Sequence, residues 1–208
     1  MPDTSTLITF TLIVAAFVFI PGPATLLTIA RAASSGTRAG VATGAGIAVG
    51  DVVHTIMAIT GVSAIIAASA MLFSIIKYLG AAYLIYIGIR TFFAKAPTAF
   101  SASVPAVTAR TAFHQAVLAE VLNPKTALFF LAFLPQFVEP EAGLVPLQLA
   151  VLGVIFILAG FVSTVVFAIS AGGLGNFLRR HPAVLKWQGK ITGSIYCALG
   201  IRLALQEK

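Results

Sequence analysis

The chain has 208 residues, of which 59% are apolar and 9% are charged. Soluble domains carry roughly 25% charged residues, so this composition and a mean hydropathy of +1.03 argue against a soluble enzyme, a disordered protein or a nucleic-acid-binding protein. The net charge of +7 comes from short basic clusters between long apolar runs, which is how membrane proteins distribute Lys and Arg. We therefore predict an all-α integral membrane protein.

Successive apolar runs predict transmembrane helices, because about 20 apolar residues cross the hydrocarbon core. The first run is uncharged, no basic residue precedes it, and it meets Pro21-Gly22-Pro23, all of which is unlike a cleaved signal peptide. The second and third spans share one long run, which we divide near residues 68–72, where small residues precede an aromatic-rich stretch. The six predicted spans are residues 7–30, 39–68, 72–89, 113–138, 146–172 and 191–205.

The connections between these spans alternate in charge. Those after the first, third and fifth spans hold nine Lys and Arg residues, those after the second and fourth hold none, and the C-terminus holds two. Because Lys and Arg accumulate on the cytoplasmic side, Arg38, Lys95 and Arg180 are predicted to be cytoplasmic and both termini periplasmic. Residues 173–190 are predicted to form a basic cytoplasmic loop.

The two halves of the chain resemble each other weakly. Three short matches occur in the same order: Pro23 with Pro124, Gly50 with Gly160, and Gly88 with Gly200. A repeat with an odd number of spans inserts its second copy upside down, as in many secondary transporters. The sequence thus predicts a single transmembrane domain with one repeat at about 1–94, a linker at about 95–112 and an inverted repeat at about 113–208.

Proline-containing motifs interrupt the first and fourth spans. Proline lacks the helical N–H and its ring clashes with the preceding turn, so each span is predicted to break and restart as a half-helix. Such a helix start attracts an anion, and a lysine beside one of them adds a full charge; an ordinary proline kink is the alternative. The candidate substrate-binding residues are Pro21, Gly22, Pro23, Asn123, Pro124 and Lys125.

Three other ionisable residues lie within predicted spans. Asp51 and His54 share one helical face, and Asp51 and Glu120 lie about 15 Å and 10 Å into their spans at 1.5 Å per residue. Ionisable groups at such depth usually line a pathway or relay protons, so we predict proton coupling by Asp51, His54 and Glu120. Two alternatives remain: a structural pair of Glu120 with Lys125, and a metal site formed by the three residues.

Five segments of the sequence resemble motifs of the lysine exporter and homoserine/threonine resistance (LysE/RhtB) family. They are residues 19–23, 46–54, 77–88, Leu122-Asn-Pro-Lys125 and Leu134-Pro-Gln-Phe-Val138. The resemblance implies six spans, a bacterial inner-membrane location, a homodimer, and efflux of amino acids coupled to proton entry. Asp51 and Glu120 depart from the family's pattern.

We accordingly predict a secondary transporter that exports amino acids or related zwitterions by proton antiport, without a cofactor. An enzyme is not predicted, because the chain has no recognisable nucleophile motif and no paired catalytic carboxylates. The alternative function is an ion or divalent-metal permease that uses Asp51, His54 and Glu120 as ligands.

Overall fold

A computed structural model of the chain describes residues 2–19, 22–94, 105–180 and 182–205. In this part of the chain all regular structure is helical. The α-helices are α1 Thr4–Phe19, α2 Pro23–Ser35, α3 Thr37–Met57, α4 Ser63–Ala68, α5 Ala70–Phe93, α6 Ala109–Val121, α7 Pro124–Leu128, α8 Val145–Arg180 and α9 Pro182–Leu205. A π-helical turn, Ala58–Val62, joins α3 to α4. After α7 the chain continues as a π-helix, Phe129–Phe133, and a 3₁₀ helix, Leu134–Phe137.

Three helical segments of the described residues are long and apolar enough to cross a membrane: Thr37–Ile65, Ser74–Phe93 and Val145–Ala171. Two bent pairs raise the number to five, with angles of 47° between Thr4–Phe19 and Ala24–Ser35 and 46° between Ala109–Val121 and Pro124–Phe137. The predicted sixth span, 191–205, falls within α9, which is not among these candidates; basic residues interrupt its apolar run. The two bends, of 47° and 46°, fall at the predicted breaks in spans one and four.

Two predicted boundaries were wrong. The region 173–190, predicted as a loop, is helical apart from His181, which lies outside the described residues. The reason is that α8 meets no proline between Pro146, in its first turn, and Pro182, and arginines in a last helical turn are favourable. The fourth span begins at Ala109, inside the predicted linker 95–112, because the Thr108 hydroxyl caps α6 by accepting from the Thr111 N–H at 3.2 Å. Residues 95–104 of that linker lie outside the described residues.

Glycines set the close packing of the long helices. α3 lies against α6, and a Cβ at Gly50 would come 2.6 Å from the Glu120 Cβ. α5 and α9 are antiparallel: a Cβ at Gly88 would lie 2.8 Å from the Gly193 carbonyl oxygen, and one at Gly200 would lie 2.8 Å from the Ala81 carbonyl oxygen. Such small residues let helix backbones approach one another in a membrane.

We expect Gly46→Ala to lower the thermal stability of the protein. A Cβ at this position would overlap the Phe113 carbonyl oxygen and lie 2.8 Å from the Ala116 Cβ, and overpacking of this kind costs about 1–3 kcal/mol. Gly61→Ala is the matched control, since nothing lies within 4 Å of a Cβ there. Thermal unfolding in detergent measures both; equal melting temperatures for the two variants would contradict the close contact between α3 and α6.

An aromatic core fills the space between the two bent pairs. Phe10 and Phe17 of α1 pack against the π-helical segment after α7, with 4.8 Å between the ring centroids of Phe17 and Phe129. Phe156 of α8 and Tyr196 of α9 close the cluster. This core places the ends of α1 and α6 and the starts of α2 and α7 around one cavity.

Candidate functional site

The two helix starts face the same cavity, which has a volume of about 60 Å³. The start of α2 contributes Gly22, Ala24 and Thr25, and the start of α7 contributes Asn123, Lys125 and Thr126. Asp51 and Glu120 also line it, as do Phe17 and Phe156. Residues on α1, α2, α3, α6, α7 and α8 thus meet at one point, with both signs of charge present. Pro21 lies outside the described residues.

Each helix start is built by a capping residue followed by a proline. Asn123 caps α7: its Oδ1 accepts from the Lys125 N–H at 3.1 Å, and Pro124 stands at the first helical position. Gly22 precedes α2 in an extended conformation without a side-chain cap, followed by Pro23. Proline suits this position because its N–H would be unpaired there in any case. These local rules explain why the sequence was sufficient to place both breaks.

The carbonyl groups that lose a partner at the breaks are satisfied by side chains from the long neighbouring helices. The Glu120 carbonyl stands four residues before Pro124, and it accepts from His54 Nε2 at 2.9 Å and from the Asn123 N–H at 2.9 Å. At the other break the Val18 carbonyl accepts from the Ser163 hydroxyl at 2.8 Å. Backbone groups freed within a membrane need such partners.

His54 is therefore occupied at the helix break. Because a carbonyl can only accept, Nε2 carries the hydrogen, and the ring stacks on Phe130 with 5.9 Å between centroids. The imidazole is 2% exposed and is not part of the cavity wall. His54 and Asp51 lie on the same helix, as predicted, but His54 binds the Glu120 carbonyl whereas Asp51 lines the cavity.

The Glu120 carboxylate has its own partners. The Asn123 amide donates to it at 3.1 Å and 3.3 Å, and the Thr126 hydroxyl donates to Oε1. Asn123 thus links the carboxylate of α6 to the first N–H groups of α7. Among the described residues no carboxylate lies within ion-pair distance of Lys125, so the structure does not show the alternative pairing of Glu120 with Lys125.

The Lys125 ammonium group lies between aromatic rings. Nζ is 3.9 Å from the Phe17 ring centroid and 4.9 Å from the Tyr196 ring centroid. A Cβ at Gly22 would come 3.2 Å from Nζ, so the two helix breaks meet at this cation. Phe17 and Tyr196 were not predicted as site residues, since an aromatic residue in an apolar span has the same signature when it faces lipid.

Asp51 is the acid that lacks a partner. Its side chain is 3% exposed, and Oδ1 is buried without a hydrogen bond to any described residue. An unpaired buried charge is costly, so this oxygen favours a proton or a cationic group. No three His, Cys, Asp or Glu residues in the described ranges gather closely enough to hold a metal ion, so the metal alternative has no ligand set there.

Broken spans around a charged cavity are typical of membrane transport proteins. The family model for LysE type translocators matches residues 15–207. The membrane protein YrhP of Bacillus subtilis, itself uncharacterized, is 35% identical over 93% of this chain and 95% of its own. An uncharacterized membrane protein of Pseudomonas aeruginosa is 32% identical over 94% and 93%, and a leucine efflux protein of Salmonella choleraesuis is 26% identical over 90% and 89%.

The chain belongs to the LysE type translocator family. No solved structure matches it.

Proposed function

We propose that the protein exports a neutral amino acid across the bacterial inner membrane in exchange for protons. The observation that carries this proposal is two charged groups in one cavity that form no ion pair with each other: the Lys125 ammonium beside the Phe17 ring, and the Asp51 carboxylate with an unpaired oxygen. An amino acid has one group for each. The leucine efflux protein among its relatives supports an aliphatic substrate.

The substrate carboxylate is assigned to Lys125 and the two helix starts. A half-helix start carries a partial positive charge, and Pro124 and Pro23 begin two such starts on the same cavity wall. Asn123 orients the second start, while Gly22 leaves room beside the ammonium. Substrate anions bind at such broken helices in other transporters.

The coupled proton is assigned to Asp51, where it competes with the substrate ammonium group. A proton or an ammonium can satisfy the buried oxygen, but not both at once, and this competition is the simplest basis for exchange. His54 can take part only through Nδ1, since Nε2 is committed to the Glu120 carbonyl. Glu120 is the second candidate, although Asn123 and Thr126 already hold its carboxylate.

We further propose that residues 1–94 and 109–208 form two inverted repeats of three spans each, joined by the linker 95–108. Support comes from reciprocal contacts. Ser163, in the fifth span, satisfies the break in the first, while His54, in the second, satisfies the break in the fourth. The antiparallel contacts of Gly88 with Gly193 and of Gly200 with Ala81 interchange when each residue is replaced by its repeat counterpart 112 positions away.

The cavity is smaller than a substrate site needs. Its volume of about 60 Å³ holds a few water molecules, whereas sites for small ligands are roughly 300–1,000 Å³. We infer that the helices around this cavity must move apart for an amino acid to bind there.

The test is efflux from proteoliposomes that contain the purified protein and are loaded with labelled leucine. An acidic exterior should accelerate leucine efflux, and a protonophore should abolish the acceleration. A screen of the other common amino acids then gives the range of substrates. Absence of efflux for every amino acid, together with uptake of a divalent cation, would instead favour the permease.

The orientation is tested by cysteine accessibility in a Cys197→Ala background. We expect a cysteine at Glu141, between the fourth and fifth spans, to react with an impermeant maleimide in intact cells. A cysteine at Arg38 should react only after permeabilisation, because the basic connections face the cytoplasm. Both positions are exposed; the opposite labelling pattern would invert the topology and place the termini inside.

A further inference from the structure

The surroundings of Lys125 are unusual for a buried cation. Two aromatic rings, from α1 and α9, face its ammonium group at 3.9 Å and 4.9 Å from their centroids. Both rings are 5% exposed, and their centroids are 5.8 Å apart. The rings therefore form a buried pair around a cation that makes no ion-pair contact with a carboxylate of the described residues.

Aromatic rings hold a cation differently from a carboxylate. The attraction comes from the ring quadrupole, so it positions the ammonium group without neutralising its charge. It also leaves the N–H donors of the ammonium free for an oxygen ligand, since a ring face is a poor hydrogen-bond acceptor compared with a carboxylate. A carboxylate partner in the same place would compete with an incoming anion.

We propose that Phe17 and Tyr196 form an aromatic seat that holds the Lys125 ammonium in position for the substrate carboxylate, which makes Tyr196 a positioning residue. The assignment of that carboxylate rests on the proposed function. The seat itself does not, since it concerns only how the protein holds its own lysine. Because Tyr196 lies on α9, the seat also joins this helix to a cavity lined by α1, α2, α3, α6, α7 and α8.

Tyr196 is the better residue to change, because Phe17 also packs against Phe129 and Phe156 in the core. Tyr196→Phe keeps the ring and removes the hydroxyl, whereas Tyr196→Leu removes the ring. Tyr86→Leu removes a tyrosine ring from an exposed position on α5, 56% exposed and outside the cavity wall, and is the matched control for loss of an aromatic residue from a span.

The seat can be observed without any substrate. In protein labelled with ¹³C at the lysine ε-carbon, the Lys125 signal is assigned by its absence in Lys125→Arg. We expect its ε-protons to be shifted upfield by the ring currents in the native protein, in Tyr196→Phe and in Tyr86→Leu, and to move downfield in Tyr196→Leu. An unchanged signal in Tyr196→Leu would overturn the seat, whatever the protein transports.

The second measurement is transport of leucine into vesicles loaded with unlabelled leucine, with leucinamide as a competitor that lacks the carboxylate. We expect Tyr196→Leu to raise the KM for leucine about tenfold with a nearly unchanged maximal rate, and Tyr196→Phe and Tyr86→Leu to behave as the native protein does. The preference for leucine over leucinamide should fall by the same factor in Tyr196→Leu.

These readouts separate the seat from its proposed use. A downfield movement of the Lys125 signal with an unaltered preference for leucine over leucinamide would overturn the positioning role. The downfield movement in Tyr196→Leu, together with a native protein that transports no amino acid, would leave the seat standing and refute the proposed function. If Tyr196→Leu and Tyr86→Leu raise the KM and lower the maximal rate to the same extent, the effect of Tyr196→Leu is merely structural and the positioning role is overturned.

Discussion

Replacing Lys125 with methionine should reduce amino-acid efflux more than any other single change in the cavity. Methionine keeps most of the length of the side chain and its contact with the Phe17 ring, but it has no charge for the substrate carboxylate. Truncating one partner of a desolvated charge pair costs about 2–5 kcal/mol, which corresponds to roughly a 30-fold to several-thousand-fold loss of affinity. The KM for labelled leucine in proteoliposomes measures the effect.

Two controls accompany this variant. Lys125→Arg keeps the charge and should retain part of the activity, although a planar guanidinium fits the space beside Gly22 less well. Lys190→Met removes a lysine from α9, near Phe92 and Trp187 and outside the cavity wall, and should transport normally. If Lys125→Met transports with the native KM, the lysine is a structural residue and the carboxylate binds elsewhere.

Replacing Asp51 with asparagine should abolish the response to a proton gradient while exchange of leucine for leucine persists. The amide has the shape of the carboxylate but cannot take up a proton, so the competition between proton and substrate is lost. In the native protein, acidifying the exterior should raise the efflux rate from loaded vesicles by up to about tenfold for each unit of pH if one proton limits the rate. In Asp51→Asn the rate should be the same at each exterior pH.

Glu120→Gln serves as the comparison for Asp51→Asn. Asn123 and Thr126 donate to the Glu120 carboxylate, and a glutamine oxygen can accept the same hydrogen bonds, so we expect Glu120→Gln to keep its dependence on the gradient. Native gradient-driven efflux in Asp51→Asn, combined with its loss in Glu120→Gln, would transfer the proton to Glu120. Loss in both would mean that the two acids act together.

The helix breaks could be predicted from the sequence because they depend on neighbouring residues alone. Pro124 has no N–H to offer the Glu120 carbonyl, and Asn123 has the side chain that caps a new helix start. The divide between the second and third spans likewise falls at Ser69, inside the predicted interval 68–72, where the serine hydroxyl accepts from the Leu72 N–H at 3.2 Å. The membrane class followed from composition, since the chain lacks the charge to cover a surface in water.

The basic stretch 173–190 shows where this reasoning fails. Charge marks the end of a membrane span but not the end of a helix, because a helix continues into water when no proline or glycine cap stops it. α8 therefore extends to Arg180 and α9 begins at Pro182. Hydropathy reports the solvent around a segment, whereas the backbone conformation follows from its hydrogen bonds.

Composition, proline positions and polar intruders in the sequence were enough to define a helical membrane protein, its two breaks and its ionisable residues. The partners of those residues depended on tertiary packing. His54 and the Glu120 carbonyl are 66 residues apart, and they meet because glycines bring α3 against α6. The sequence shows Asp51, Glu120 and Lys125 only as ionisable residues within apolar spans, without their partners. Packing gives Glu120 two donors and Lys125 two rings and leaves Asp51 with an unpaired oxygen, because the partners are set by which helix surfaces touch.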